Sequence, residues 1–391
     1  MTRIRHVLPI IVLSQFFCTS IWFAGNAVIG EIFKNAAAVK VGHISSAVQF
    51  GFIAGTLVFA FFSVSDRFSP SRVFFVSAML AALANLAVIF VVNSFEIILT
   101  LRLVAGFFLA GIYPIGMKIV TDHYREGLGR SLGFLVGALV LGTALPHLLK
   151  GISWGLSWQA VIYLTSLLAT TGGTLIFFLI PDGPFRVQSS FDPAAIPTIF
   201  RSRSFRSIAI GYFGHCWELY AFWAFVPQIL EIYAGLHHGR VLNTSILSFI
   251  IIASGSLACI WSGLLSRKYD SKKMAIILLI LSGLCCLLSP LFFYLGSSIA
   301  LVSILIFWGM VVVADSPLFS TLMAQNAPPN LKGTALTIAN CIGFTITIIS
   351  IQLMGNLIDF VGTGYAFTLL ALGPIAGIIS LLAPTKPKQV L

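Results

Sequence analysis

Four ionisable side chains lie inside long apolar stretches of this chain, and their types define the chemistry open to it. His215 and Glu218 stand three residues apart, a spacing that lets both share one helix face as a protonatable pair. Asp315 precedes Ser316 and Pro317, where the missing backbone donor frees a carbonyl and can kink a helix. Arg102 adds a planar guanidinium suited to an anion in a cavity or to a neighbouring carboxylate. A charge at the centre of a bilayer costs about 2.5–3.5 kcal/mol on insertion scales, so each of these groups needs compensation and is a functional candidate. Each also has a purely structural alternative. Glu218 and Asp315 would then hold permanent interhelical contacts, His215 would be a satisfied core imidazole, and Arg102 would snorkel to the interface.

What must position these groups is a set of membrane-crossing helices. Of 391 residues, 58% are hydrophobic and 9% charged, with a mean hydropathy of +1.00. Soluble proteins carry roughly a quarter charged residues, so a water-soluble enzyme is excluded. Barrel strands alternate apolar and polar residues, whereas these stretches are apolar all round, so the spans are helices. Hydropathy with Gly, Pro and charge punctuation places twelve of them near 8–30, 44–65, 73–92, 97–117, 131–149, 158–180, 207–229, 245–266, 274–293, 298–323, 334–357 and 364–383.

The net charge of +11 has a topological explanation. With both termini in the cytoplasm, only Lys34, Lys40, Lys150 and Arg240 fall in outside loops and only Arg102 falls within a span. The positive-inside rule therefore sets the orientation, attraction to anionic membrane lipid adds to it, and no nucleic-acid partner is needed. Cys18, Cys216, Cys259, Cys285, Cys286 and Cys341 all sit in apolar stretches without metal-ligand spacing and read as small hydrophobes. No phosphate loop, zinc spacing or nucleophile motif occurs, so neither a cofactor nor an enzymatic activity is expected. The pair His237-His238 reads as solvated loop, and Trp154 and Trp158 as interface anchors.

Pro181 to Arg206 is the longest polar stretch and divides the spans six and six. The expected organisation is a bundle over 1–180, a cytoplasmic linker over 181–206 and a second bundle over 207–391. At an offset of about 200 residues, Trp22-Phe23-Ala24 through Glu31-Ile32-Phe33 overlies Phe222-Trp223-Ala224 through Glu231-Ile232-Tyr233. The loop from Ser65 to Arg72 likewise faces that from Ser266 to Lys273, and Pro114 lies near the counterpart of Pro317. Duplicated six-helix halves are the organisation of rocking transporters, whose solute site lies at the interface of the halves.

At these residues the chain resembles the major facilitator superfamily. That family carries a G-x-x-x-D-R-x-G-R-R type motif between helices 2 and 3, which Asp66, Arg67 and a displaced Arg72 match, with Phe62 and Ser69 in place of its glycines. A second copy keeps Gly263 but has Arg267 where the acid would fall, followed by Lys268, Lys272 and Lys273. Arg102 followed by Gly106 matches the helix 4 signature, while helix 5 has Gly133, Gly137 and Gly142 without the adjoining proline of antiporter branches.

The resemblance implies an all-α membrane protein of twelve helices in two pseudo-symmetric bundles, with helices 1, 4, 7 and 10 lining a central cavity. It further implies a secondary transporter moving a small organic solute, anionic in one version, by alternating access with proton coupling. Proton-driven efflux of amphipathic compounds is the alternative, and a membrane-embedded sensor or enzyme the rival from another class. On that reading Glu218, Asp315 and His215 couple protons. Arg102, Trp22, Asn26, Tyr113, Trp217, Tyr220, Trp223 and Gln228 contact solute, by stacking or hydrogen bonding. Asp66, Arg67, Arg72, Arg267 and Lys268 form a charge latch that differs between conformations, or else are only topogenic charges. A monomer in the bacterial inner membrane is expected.

Overall fold

The computed structural model describes residues 6–33, 38–91, 94–124, 128–152, 157–186, 191–237, 242–328, 331–361 and 363–383, the side chains of residues 128, 359, 361, 363 and 364 excepted. The expectations placed on Lys34, Trp154, His238 and Arg240 lie outside the described residues. Eleven helices among the described residues are long and apolar enough to cross a membrane. They are α1 Val7–Ile32, α2 Ala38–Phe61, α3 Pro70–Phe90, α4 Phe95–His123, α5 Gly129–Ile152, α6 Trp158–Leu179, α7 Arg203–Leu236, α8 Thr244–Leu265, α9 Ser271–Phe292, α10 Ser298–Asn326 and α11 Lys332–Ile358. A shorter apolar helix, α12 Phe367–Leu382, follows. The protein is a multi-pass, all-helical membrane protein.

Three boundaries depart from the hydropathy reading for identifiable reasons. α2 begins at Ala38 rather than near 44 because Ala38 and Val41 are buried and the Lys40 ammonium rests over the rings of Phe33 and Phe95, at 4.9 and 5.7 Å. It ends at Phe61, where Ser63 adopts a left-handed backbone with φ 49°. α7 runs past 229 to Leu236 because Ile229, Leu230 and Tyr233 are buried, and the Tyr233 hydroxyl donates to the Leu295 carbonyl at 2.6 Å.

The packing repeats with a six-helix period. Pairs α1/α5, α1/α6, α2/α4 and α3/α6 recur as α7/α11, α7/α12, α8/α10 and α9/α12. The two sets meet along α5/α8 and α2/α11, which are themselves related by the same period. Glycine makes the α5/α8 contact close, since a Cβ on Gly263 would lie 3.0 Å from both the Gly129 carbonyl oxygen and the Gly133 Cα. The loops after α2 and α8, the start of α5 and the segment before α7 carry clustered Arg and Lys residues and mark a basic end of the molecule. All six cysteines are free and buried.

Candidate functional site

Of the four helices expected to line the cavity, three are interrupted at mid-length. α1 is helical over Val7–Thr19 and Ala24–Ile32, α4 over Phe95–Leu109 and Tyr113–His123, and α10 over Ser298–Val311 and Ser316–Asn326. In α4 and α10 the second segment starts with proline in its first turn, Pro114 and Pro317, where the missing donor costs nothing. α7 is continuous.

Between the two sets lies a cavity bounded by Tyr113 and Met117 of α4, Val136 and Leu139 of α5, Tyr212, His215, Tyr220 and Trp223 of α7, Ser316 and Ser320 of α10, and Asn340 and Phe344 of α11. His215 carries a titratable ring on this wall. Its Nδ1 lies 2.7 Å from Asp315 Oδ1 and its Nε2 lies 2.7 Å from Ser316 Oγ, with His215 and Asp315 both almost fully buried. Asp315 sits in the α10 interruption, which brings its carboxylate onto the imidazole. The Tyr212 hydroxyl donates to Asn340 Oδ1 at 3.1 Å. The wall thus combines aromatic and aliphatic surface with neutral polar groups and one imidazole, backed by the Asp315 carboxylate.

Away from the basic end the cavity stops at an aromatic cluster drawn from both sets. Trp22 lies 5.0 Å from Phe52, 5.9 Å from Phe344 and 6.0 Å from Tyr220, and Phe52 and Phe344 are 4.5 Å apart between ring centroids. Phe23 meets Trp223 edge-on at 6.4 Å. Beyond this plug two hydrogen bonds join the sets, Gln352 Nε2 to Ser46 Oγ at 2.7 Å and Asn243 Nδ2 to the Gly151 carbonyl at 3.4 Å.

A profile of the Major Facilitator Superfamily matches residues 7–351. The chain belongs to that superfamily. Among curated relatives, a bicyclomycin resistance protein homolog from Haemophilus influenzae is 23% identical over 361 residues, covering 88% of this chain and 86% of the relative.

Set in this superfamily member, the expected site residues divide. Tyr113, Tyr220, Trp223 and His215 border the cavity, while Trp22 belongs to the plug. The expected pairing of His215 with Glu218 is not formed. Three residues leave the two side chains about 60° apart around the helix, and each is taken up by different neighbours. Glu218 points between α9 and α10, where it accepts hydrogen bonds from Ser282 Oγ at 2.9 Å, Trp308 Nε1 at 2.7 Å and Cys286 Sγ at 3.3 Å.

Arg102 is neither at the interface nor on the cavity wall. It is fully buried and donates from Nη2 to the carbonyls of Ile21 and Trp22, at 2.6 and 2.7 Å, and from Nη1 to Asn85 Oδ1 at 2.8 Å. The interruption of α1 exposes those carbonyls, and the guanidinium satisfies them. Trp217 faces α12, donating to the Leu369 carbonyl at 3.3 Å. Asn26 donates to Ser45 Oγ at 2.6 Å, and Gln228 Oε1 is buried without a partner.

The charge latch takes different partners from those expected. Asp66 Oδ1 lies 2.9 Å from Lys118 Nζ on α4, and Arg186 Nη2 donates to the carbonyls of Ser65, Asp66 and Phe68 at 3.3, 2.8 and 2.7 Å. Arg67, Arg72, Arg267 and Lys268 are exposed and form no ion pair among the described residues. Their long side chains gain little by ordering in water. Asp270 instead caps α9 by accepting from Lys273 N at 2.8 Å. Tyr212, Ser316, Ser320 and Asn340 were not singled out by sequence because neutral polar residues in apolar helices are common. Pro317 beside Asp315-Ser316 was the available signal.

Proposed function

We propose that the protein exports a small amphipathic solute in exchange for protons, with the His215–Asp315 pair as the proton-binding element. The observation that carries this reading is the shared cavity, whose wall is aromatic, aliphatic and neutral-polar apart from the His215 imidazole that Asp315 backs. Arg102 is consumed by backbone carbonyls, so the support for an anionic solute that its sequence position offered is gone. The name of the Haemophilus relative favours antibiotic efflux, and bicyclomycin is accordingly the first solute to test. In this reading the basic end faces the cytoplasm of a bacterial inner membrane, and both termini lie there. Residues 1–180 and 207–391 are the rocking bundles, 181–206 is their tether, and the working unit is a monomer.

The test is proton movement in proteoliposomes on addition of labelled bicyclomycin. Asp315→Asn is expected to abolish proton movement coupled to the solute, because the imidazole loses its acid. Glu218→Gln is expected to keep it, since Glu218 is hydrogen-bonded inside the second set rather than on the cavity wall. Coupling that survives Asp315→Asn and disappears with Glu218→Gln would sink the assignment.

A further inference from the structure

The plug closes over polar groups that find no partner. Gln49 on α2 is fully buried, and neither its Nε2 nor its Oε1 is hydrogen-bonded. The same holds for the indole Nε1 of Trp22 and of Trp223, each almost fully buried, and for Asn26 Oδ1. These groups are neighbours by helix register. Gln49 lies one turn after Ser45, which is bonded to Asn26, and one turn before Phe52, which packs on Trp22. Asn26 lies in the first turn of the second segment of α1, just after the break that holds Trp22.

Native proteins rarely leave buried amides unpaired, so each such group calls for an explanation. We propose that Gln49, with Asn26 and Trp22, is a second solute subsite, exposed when the sets part at the end away from the basic loops. The inference rests on the reading of the chain as an alternating-access carrier. The unpaired atoms supply donors at Gln49 Nε2, Trp22 Nε1 and Trp223 Nε1 and acceptors at Gln49 Oε1 and Asn26 Oδ1, and none belongs to an acid or a base. The subsite therefore takes an uncharged group that both donates and accepts, of the amide or hydroxyl type. Opening it requires the Gln352–Ser46 bond to break, which frees a further hydroxyl on the same helix.

Two measurements decide it. In a transport-competent background with all six cysteines replaced, Gln49→Cys and Ala81→Cys are treated with a membrane-impermeant maleimide from the side opposite the basic loops. Gln49→Cys is expected to react at least tenfold faster than Ala81→Cys, whose site lies buried within the first set. With native cysteines in place, Gln49→Leu is expected to raise the half-saturating concentration of the labelled antibiotic used above at least fivefold on that side and less than twofold on the basic side. Equal labelling rates, or equal changes on both sides, overturn the subsite. If wild-type protein moves no antibiotic, the substrate assignment fails on its own account and the labelling ratio alone decides the subsite.

Discussion

Arg102 illustrates how one residue type can serve quite different ends. A deep arginine on a helix near the axis suggests anion capture, yet here three hydrogen bonds turn it into the fastener of a broken helix. Asn85 extends the arrangement, donating from Nδ2 to Ser166 Oγ at 2.9 Å and Thr165 Oγ1 at 3.1 Å, so α1, α3, α4 and α6 share one network. Arg102→Leu is expected to destabilise the protein by about 3–5 kcal/mol, since it strands three buried acceptors on two helices. Thermal unfolding in detergent checks this. An unchanged midpoint with weakened solute affinity would instead return Arg102 to the binding site. The deep charges were visible in sequence because an ionisable residue in an apolar run is rare. Their partners were not, since which face of α7 meets α9 or α10 depends on packing that local spacing does not encode.

At the scale of elements, the contact between α5 and α8 depends on missing side chains. Gly133 and Gly263 face each other, and a Cβ on Gly133 would sit 3.1 Å from the Cys259 carbonyl and 3.3 Å from the Gly263 Cα. Gly133→Leu is expected to cost about 1–3 kcal/mol through overpacking and to lower transport, whereas Gly235→Ala, with open space at its Cβ, leaves both unchanged. Thermal midpoints and flux in the same proteoliposomes measure the contrast. Hydropathy located all twelve helices to within a few residues at most ends because long apolar runs carry their own boundaries. It gave no sign of the α1 interruption at residues 20–23, where no proline stands, whereas Pro114 and Pro317 marked those of α4 and α10. Small-residue spacing at Gly133 and Gly137 pointed to close helix approach but not to the partner helix.

The whole molecule is closed by aromatic rings on one side of its cavity, while toward the basic end the sets meet at the α5/α8 glycines Gly129, Gly133 and Gly263. The plug of Trp22, Phe52, Tyr220 and Phe344 and the two hydrogen bonds between the sets all lie on the same side. Cysteine at Ser320, on the cavity wall toward the basic end, is therefore expected to react with an impermeant thiol reagent in inside-out vesicles at least tenfold faster than in right-side-out ones. A reversed ratio would mean that the opposite orientation holds in the membrane. The pseudo-repeat was legible in the sequence as a shared offset, because duplicated loops keep turn residues and charges that spans can lose. The side on which the aromatic plug forms was not, since it depends on packing between helices far apart in the chain.

The contrast between α7 and its three interrupted counterparts has a mechanical consequence. A continuous helix of 34 residues is about 51 Å long, well beyond the roughly 30 Å hydrocarbon core. It reaches from one aqueous boundary to the other without a break, while α1, α4 and α10 each carry a joint near the middle. The molecule is thus symmetric in outline but uneven in where its helices break. On the proposed rocking motion the first set has two joints, whereas the second has one, in α10, beside an unbroken helix that carries His215 and Trp223.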